Sequence, residues 1–183
     1  YTLLQGYDFL HLSRELGVNL QIGGSDQWGN LLSGVELSRK ADGREVFAMT
    51  APLVINKSTG RKFGKSEGGA VWLDETKTSP YKVYQFWLNS DDAGAIDYLK
   101  LFTMLSKEEI EAIEREHSAA PHLRIAQKTL AREVTSLIHG ADRVSSIEKV
   151  NSVLFGGVLA SELSTEELEI LAEEIPSVKV GTD

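Results

Sequence analysis

The chain has 183 residues, no cysteine, and 27 acidic against 19 basic side chains, for a formal charge of −8. A hydrophobic share of 42% beside 25% charged residues is globular composition, and it excludes a disordered chain. The same counts exclude disulfides and thiolate metal sites, and no apolar run approaches the ~20 residues that span a bilayer.

Net acidity argues against indiscriminate nucleic-acid binding, because phosphate contacts need clustered Lys and Arg. A soluble, cytoplasmic protein with no membrane partner is the expectation. The sequence starts at Tyr1, without Met and inside a helical pattern, and so reads as a processed or truncated piece.

In chain order, residues 1–16 have helical periodicity and end at Gly17, a C-terminal cap residue. Residues 18–22 alternate like a strand, and Gly23-Gly24-Ser25-Asp26 leads into a second helix over about 27–39. Residues 51–55 are read as a short buried strand, and 57–69 as a loop dense in Gly and Lys. Helix, strand, helix, strand is α/β order, with parallel strands joined by a helix. Helices are then expected over 80–88, 93–105, 107–117, 121–139, 141–154 and 165–174. Pro80 fits a first helical turn, and Ser106 with Glu109 and Ser164 with Glu167 form capping boxes. Charge divides at the same place. Residues 1–78 carry nine basic and nine acidic groups, and 79–183 carry ten and eighteen, so the domain boundary is set near Ser79-Pro80.

Three constellations could carry chemistry. Tyr1, Gln5 and Asp8 are spaced i, i+4, i+7 and fall on one helical stripe, which is either a solvated face or the wall of a polar pocket. Gly23-Gly24-Ser25-Asp26-Gln27-Trp28-Gly29-Asn30 runs from a strand end into a helix. There a ligand can approach the backbone and an acidic side chain can accept from a ribose hydroxyl, or Ser25 or Asp26 can simply cap the helix. Lys57-Ser58-Thr59-Gly60-Arg61-Lys62-Phe63-Gly64-Lys65-Ser66 concentrates four cations on a glycine-containing loop, suited to a leaving pyrophosphate or merely solvated. It lacks P-loop spacing.

Taken together, Tyr1-x-x-x-Gln5-x-x-Asp8, the Gly24-Ser25-Asp26-Gln27-Trp28-Gly29-Asn30 string and Lys62-Phe63-Gly64-Lys65-Ser66 resemble a bacterial-type tyrosyl-tRNA synthetase, a class I aminoacyl-tRNA synthetase. The last string departs from the class-wide K-M-S-K-S at its second and third positions but keeps both lysines and the serine. The resemblance covers nearly the whole chain. It implies the C-terminal half of a Rossmann-like catalytic domain over 1–78, then an all-α, anticodon-binding helical domain over 79–183. It also implies an ATP-dependent tyrosine–tRNA ligase, which makes tyrosyl-adenylate and transfers it to tRNA(Tyr).

On that reading Tyr1 and Gln5 hold the α-ammonium of L-tyrosine and Asp8 accepts from its phenol. A carboxylate left unpaired by phenylalanine would make Asp8 the specificity residue. Gln27 orients the tyrosine carboxylate, Gly24 and Asp26 receive the adenylate ribose, and Lys62, Lys65 and Ser66 stabilise pyrophosphate. ATP is a substrate accompanied by Mg²⁺, with no tightly bound cofactor and no metal cluster in this chain.

The family's H-x-G-H signature is missing, and His11, His117, His122 and His139 are scattered singly. These residues alone are therefore expected to lack adenylation activity, the full-length enzyme to be a homodimer, and an apolar face to be left for the rest of a catalytic domain. A non-catalytic RNA-binding or interaction module derived from such an enzyme is the alternative. For RNA, only residues 121–150 of the helical part are net basic, and Arg124, Lys128 and Arg132 at i, i+4, i+8 form a candidate phosphate-binding stripe or an ordinary exposed helix face.

Overall fold

A computed structural model describes residues 1–57, 60, 71–157 and 159–176. It divides into two compact units, Tyr1–Ile55 and Asn56–Asp183.

The first unit is helix–strand–helix–strand. Helix α1 (Thr2–Leu16) ends on Gly17, whose φ of 67° is the left-handed cap expected of that glycine. Strand β1 (Leu20–Gly24) is followed by a 3-10 turn (Ser25–Gln27) and by α2 (Trp28–Asp42), and β2 (Phe47–Ala51) returns parallel to β1. A parallel pair needs such a crossover, and α2 supplies it. The register runs from Leu20 opposite Phe47 to Gly24 opposite Ala51.

The second strand thus lies four residues earlier than the sequence placed it. Pro52 has no N–H to give a ladder, so pairing stops at Ala51, while Phe47 N–H opens it by donating to Asn19 O at 2.7 Å. Nor is this strand buried as expected. Leu20, Ile22, Phe47 and Met49 alternate onto an exposed sheet face.

Helices α1 and α2 cross closely because both lack side chains at the contact. A Cβ on Gly6 would stand 3.0 Å from Ser33 Oγ, and one on Gly34 would stand 2.8 Å from a ring carbon of the fully buried Phe9. Phe9, Leu10, Leu31 and Val46 form this unit's core. At the far end Arg14 makes a bidentate pair with Asp42, both bonds at 2.7 Å.

In the second unit every regular element among the described residues is helical: α3 (Pro80–Leu88), α4 (Asp92–Phe102), α5 (Lys107–Ala119), α6 (Ile125–His139), α7 (Ala141–Phe155) and α8 (Thr165–Glu174). Ser79 caps α3 through Lys82 N–H with Pro80 in its first turn, and both capping boxes are formed. The stretch before α3 goes with this unit, since Lys57 ion-pairs with Asp97 of α4, and within the stretch Trp72 N–H donates to Thr78 Oγ1. The fully buried Leu130 and Ala131 of α6 join Val83, Trp87, Leu99, Ile147 and Val150 in the core. Trp87 also packs against Phe102 in a tilted pair, 4.9 Å between ring centres.

One helix differs from its expected course. The run expected over 121–139 breaks at Arg124, which has φ 54°, into a 3-10 turn (Pro121–Leu123) and α6. No described helix is long and apolar enough to cross a membrane.

Candidate functional site

The first unit gathers its candidate residues where β1 ends and α2 begins. In open α/β sheets this carboxyl edge is where ligands bind. Gly24 is the last residue of β1, with an ordinary extended φ of −68°, so its glycine is a matter of space and not of conformation. A Cβ there would come within 2.8 Å of Asp26 Oδ1 and 2.9 Å of Leu53 Cδ2.

Ser25 and Asp26 form the 3-10 turn itself instead of capping α2. The cap position is Gln27, without a side-chain capping bond. Capping by Ser25 or Asp26 was the plainer of the two sequence readings, and the extra turn removes it by placing the helix start at Trp28 with Gln27 at the cap.

Gln27 is held by a chain of hydrogen bonds. Thr2 Oγ1 donates to Asn30 Oδ1 at 2.7 Å, and Asn30 Nδ2 donates to Gln27 Oε1 at 3.0 Å. Ser33 Oγ, which lies between Asn30 O at 2.7 Å and Thr2 O at 3.1 Å, fastens the same corner. Since the carbonyl end of Gln27 is engaged, its Nε2 donors are left for an acceptor such as a carboxylate. Thr2 was missed by sequence reasoning, and Asn30 stood in the quoted string without a role. The available signal was the i, i+3 spacing of Gln27 and Asn30, which places both on one helix face.

On α1, Tyr1 occupies the N-cap and is almost fully exposed, Gln5 is half-buried and Asp8 is exposed. They share one side of α1, and the Thr2–Asn30 bond joins the start of that helix to Gln27. Lys62, Lys65 and Ser66 lie outside the described residues, as does most of the cationic loop. Among the described residues, no group of three or more His, Cys, Asp or Glu is arranged to hold a metal.

In the second unit the three cations of the candidate RNA stripe are not equivalent. Arg124 is not on the helix. Its guanidinium donates to Leu88 O at 2.7 Å and to Ser90 O at 3.3 Å, satisfying carbonyls at and beyond the end of α3. Arg132 donates through Nε to Glu148 Oε1 at 2.9 Å, a carboxylate that also accepts from Tyr84 Oη at 3.4 Å. Burial, then the charge of Glu148, pushes the Tyr84 phenol up to about 12, so it keeps its proton and donates. Lys128 is exposed one turn before Arg132. Elsewhere on this stretch, Leu130 and Val134 are buried while Leu123 and Leu137 are exposed.

A βαβ crossover with a glycine-rich turn at its carboxyl edge, followed in sequence by a helical unit, is matched over residues 1–155 by the family described as tRNA synthetases class I (W and Y). The chain belongs to that family. Among solved structures it is similar to a C-terminally truncated mitochondrial tyrosyl-tRNA synthetase of Aspergillus nidulans. That match has 31% identity and a TM-score of 0.69, over 85% of this chain and 44% of that one. The corresponding enzyme of Coccidioides posadasii matches at 34% identity and a TM-score of 0.68, over 81% of this chain and 43% of that one. The chain therefore spans less than half the length of these solved relatives. Both are fungal mitochondrial proteins, so the comparisons support the tyrosyl family and not the narrower bacterial type.

Proposed function

We propose that the chain is part of an ATP-dependent tyrosine–tRNA ligase, which joins L-tyrosine to ATP as tyrosyl-adenylate and passes the tyrosyl group to tRNA(Tyr). The family covers tryptophan and tyrosine enzymes, and the two solved neighbours favour tyrosine. The observation that carries the reading is the Thr2–Asn30–Gln27 chain at the carboxyl edge of β1. It presents amide donors where an amino acid carboxylate would lie.

In this proposal Tyr1 and Gln5 take the α-ammonium, Asp8 the phenol and Gln27 the carboxylate of tyrosine, while Gly24 and Asp26 receive the ribose. Lys62, Lys65 and Ser66 stabilise the pyrophosphate as it leaves. Mg²⁺ enters with ATP. The first unit belongs to a Rossmann-like catalytic domain, and the helical unit acts as the anticodon-binding domain, with Lys128 and Arg132 meeting phosphates. The complete enzyme works as a homodimer.

The test is tyrosine-dependent ATP–pyrophosphate exchange by the protein that contains this chain, with phenylalanine as competitor. Tyrosine should be activated and phenylalanine rejected, and Asp8→Ala should erase that preference. Equal use of phenylalanine by the unsubstituted protein would overturn the assignment.

A further inference from the structure

We propose that the Thr2–Asn30 hydrogen bond couples the two halves of the amino-acid site, the ammonium half on α1 and the carboxylate half at the start of α2. Thr2 is thereby a positioning residue for ligands that carry both charges. The inference rests on the tyrosine reading above and adds to it a residue and a selectivity, for the complete α-amino acid over analogues with one charged end.

Helices α1 and α2 lie side by side and run parallel. Thr2 meets Asn30, Gly6 meets Gly34 and Arg14 meets Asp42, the same 28 positions apart along the whole seam. Thr2 and Gly6 are one turn apart and so share the face of α1 that meets α2. Each residue assigned to tyrosine on α1 stands one place before a member of this seam: Tyr1 before Thr2, Gln5 before Gly6, and Asp8 before Phe9. The substrate stripe is therefore carried on the flank of the seam. Further along, the seam is held by Phe9 packed on Gly34 and by the bidentate Arg14–Asp42 pair. At the end nearest the site residues 1–4 are all exposed, so no buried side chain joins the helices there. What joins them is the Thr2 hydroxyl at 2.7 Å from Asn30 Oδ1, with Ser33 Oγ at 3.1 Å from Thr2 O. Ser33 has one proton for two carbonyls, and its shorter contact, 2.7 Å to Asn30 O, is inside α2, so the Thr2 hydroxyl carries the coupling.

Each half is held together internally. Gln5 N–H donates to Tyr1 O at 3.1 Å, closing the first turn of α1, and Asn30 Nδ2 donates to Gln27 Oε1 at 3.0 Å within α2. The first turn of α1 has little else to fix it, because Tyr1 gives no side-chain cap and the turn holds no acidic residue. Helix ends of this kind fray. Donation by Thr2 anchors that turn to the same amide that holds Gln27. On the tyrosine reading, the amino acid's two charged ends lie on opposite sides of this bond. With the bond in place the two halves keep their spacing before the ligand arrives, and without it the spacing is set only on binding, which weakens affinity. Tyramine, which lacks the carboxylate, and desaminotyrosine, which lacks the amine, each use one half and do not sense the spacing.

The experiment measures dissociation constants for tyrosine, tyramine and desaminotyrosine by titration calorimetry, using the protein that contains this chain and its variants, each variant being checked by thermal melting. Thr2→Val keeps the branched shape and removes the hydroxyl. It should weaken tyrosine about fivefold, the equivalent of one neutral hydrogen bond, and leave tyramine and desaminotyrosine unchanged. Thr2→Ser, which keeps the hydroxyl, should restore tyrosine binding. Equal weakening of all three ligands would make Thr2 a structural residue only, and unchanged tyrosine binding in Thr2→Val would remove it from the site. Either result overturns the coupling while the tyrosine reading stands. If the unsubstituted protein does not bind tyrosine, that reading falls and the coupling falls with it.

Discussion

Asn30 lies between Thr2 and Gln27 as an acceptor to one and a donor to the other, at 2.7 and 3.0 Å. The amide serves both needs at once, since the Gln27 oxygen takes a donor and the Thr2 hydroxyl an acceptor. Asn30→Asp keeps the acceptor and loses the donor. Gln27 would then turn its amino group toward the new carboxylate and present its oxygen to the ligand. Tyrosine binding should weaken about tenfold, the equivalent of one charge-assisted hydrogen bond, while the fold is retained. The KM for tyrosine in pyrophosphate exchange measures it, and an unchanged KM would remove Gln27 from the carboxylate site.

Two glycines of α2 should respond in opposite ways to alanine. Gly34→Ala drives a methyl to 2.8 Å from the ring of Phe9, which is fully buried and cannot retreat. Overpacking of this kind costs about 1–3 kcal/mol. Gly29 has nothing within 4 Å of its would-be Cβ, so Gly29→Ala should be neutral or stabilise by up to roughly 1 kcal/mol through helix propensity. Urea unfolding of both variants against the parent checks the contrast.

These two sites also show what the sequence could and could not carry. Local signals were readable: the Gly17 cap, the Ser79-Pro80 start of α3 and both capping boxes lie where residue type alone placed them. Errors arose where a tertiary partner decides. Strand β2 is set by its register against β1 and is stopped by Pro52, so the apolar run over 51–55 that suggested a strand lies mostly beyond it. The run 121–139 looked continuous because a single residue in the left-handed region leaves no mark on periodicity when that residue is arginine. Candidate site residues were visible as strings, but the bond between Thr2 and Asn30 spans 28 positions and needed the crossing of α1 on α2.

Arg124 is expected to be a residue of stability. Its guanidinium bonds to Leu88 O and Ser90 O tie the start of α6 to the end of α3. Arg124→Ala removes those donors and should destabilise the helical unit by about 1–3 kcal/mol. Lys128→Ala, on the exposed face one turn later, should leave melting unchanged. Differential scanning calorimetry of the pair separates the two roles, and equal melting temperatures would return Arg124 to the surface stripe.

The capping box of α8 should make stability depend on acid. Glu167 is buried, accepts from Ser164 N–H at 2.8 Å and lies 2.8 Å from Lys149 Nζ. The Lys149 ammonium first, and then the Ser164 N–H, hold its carboxyl below the ordinary value of 4.5. A carboxyl depressed in the folded state contributes stability that is complete above its unfolded pKa and is lost as pH falls through the folded one. The loss therefore lies below about pH 4.5, and neutral pH does not touch it. Glu167→Gln keeps an oxygen for the Ser164 N–H but not the charge for Lys149, so it should lower stability at pH 7 and flatten the acid limb. Unfolding midpoints followed between pH 7 and pH 3 provide the measurement, and parallel curves for parent and variant would show that Glu167 has no part in the acid response.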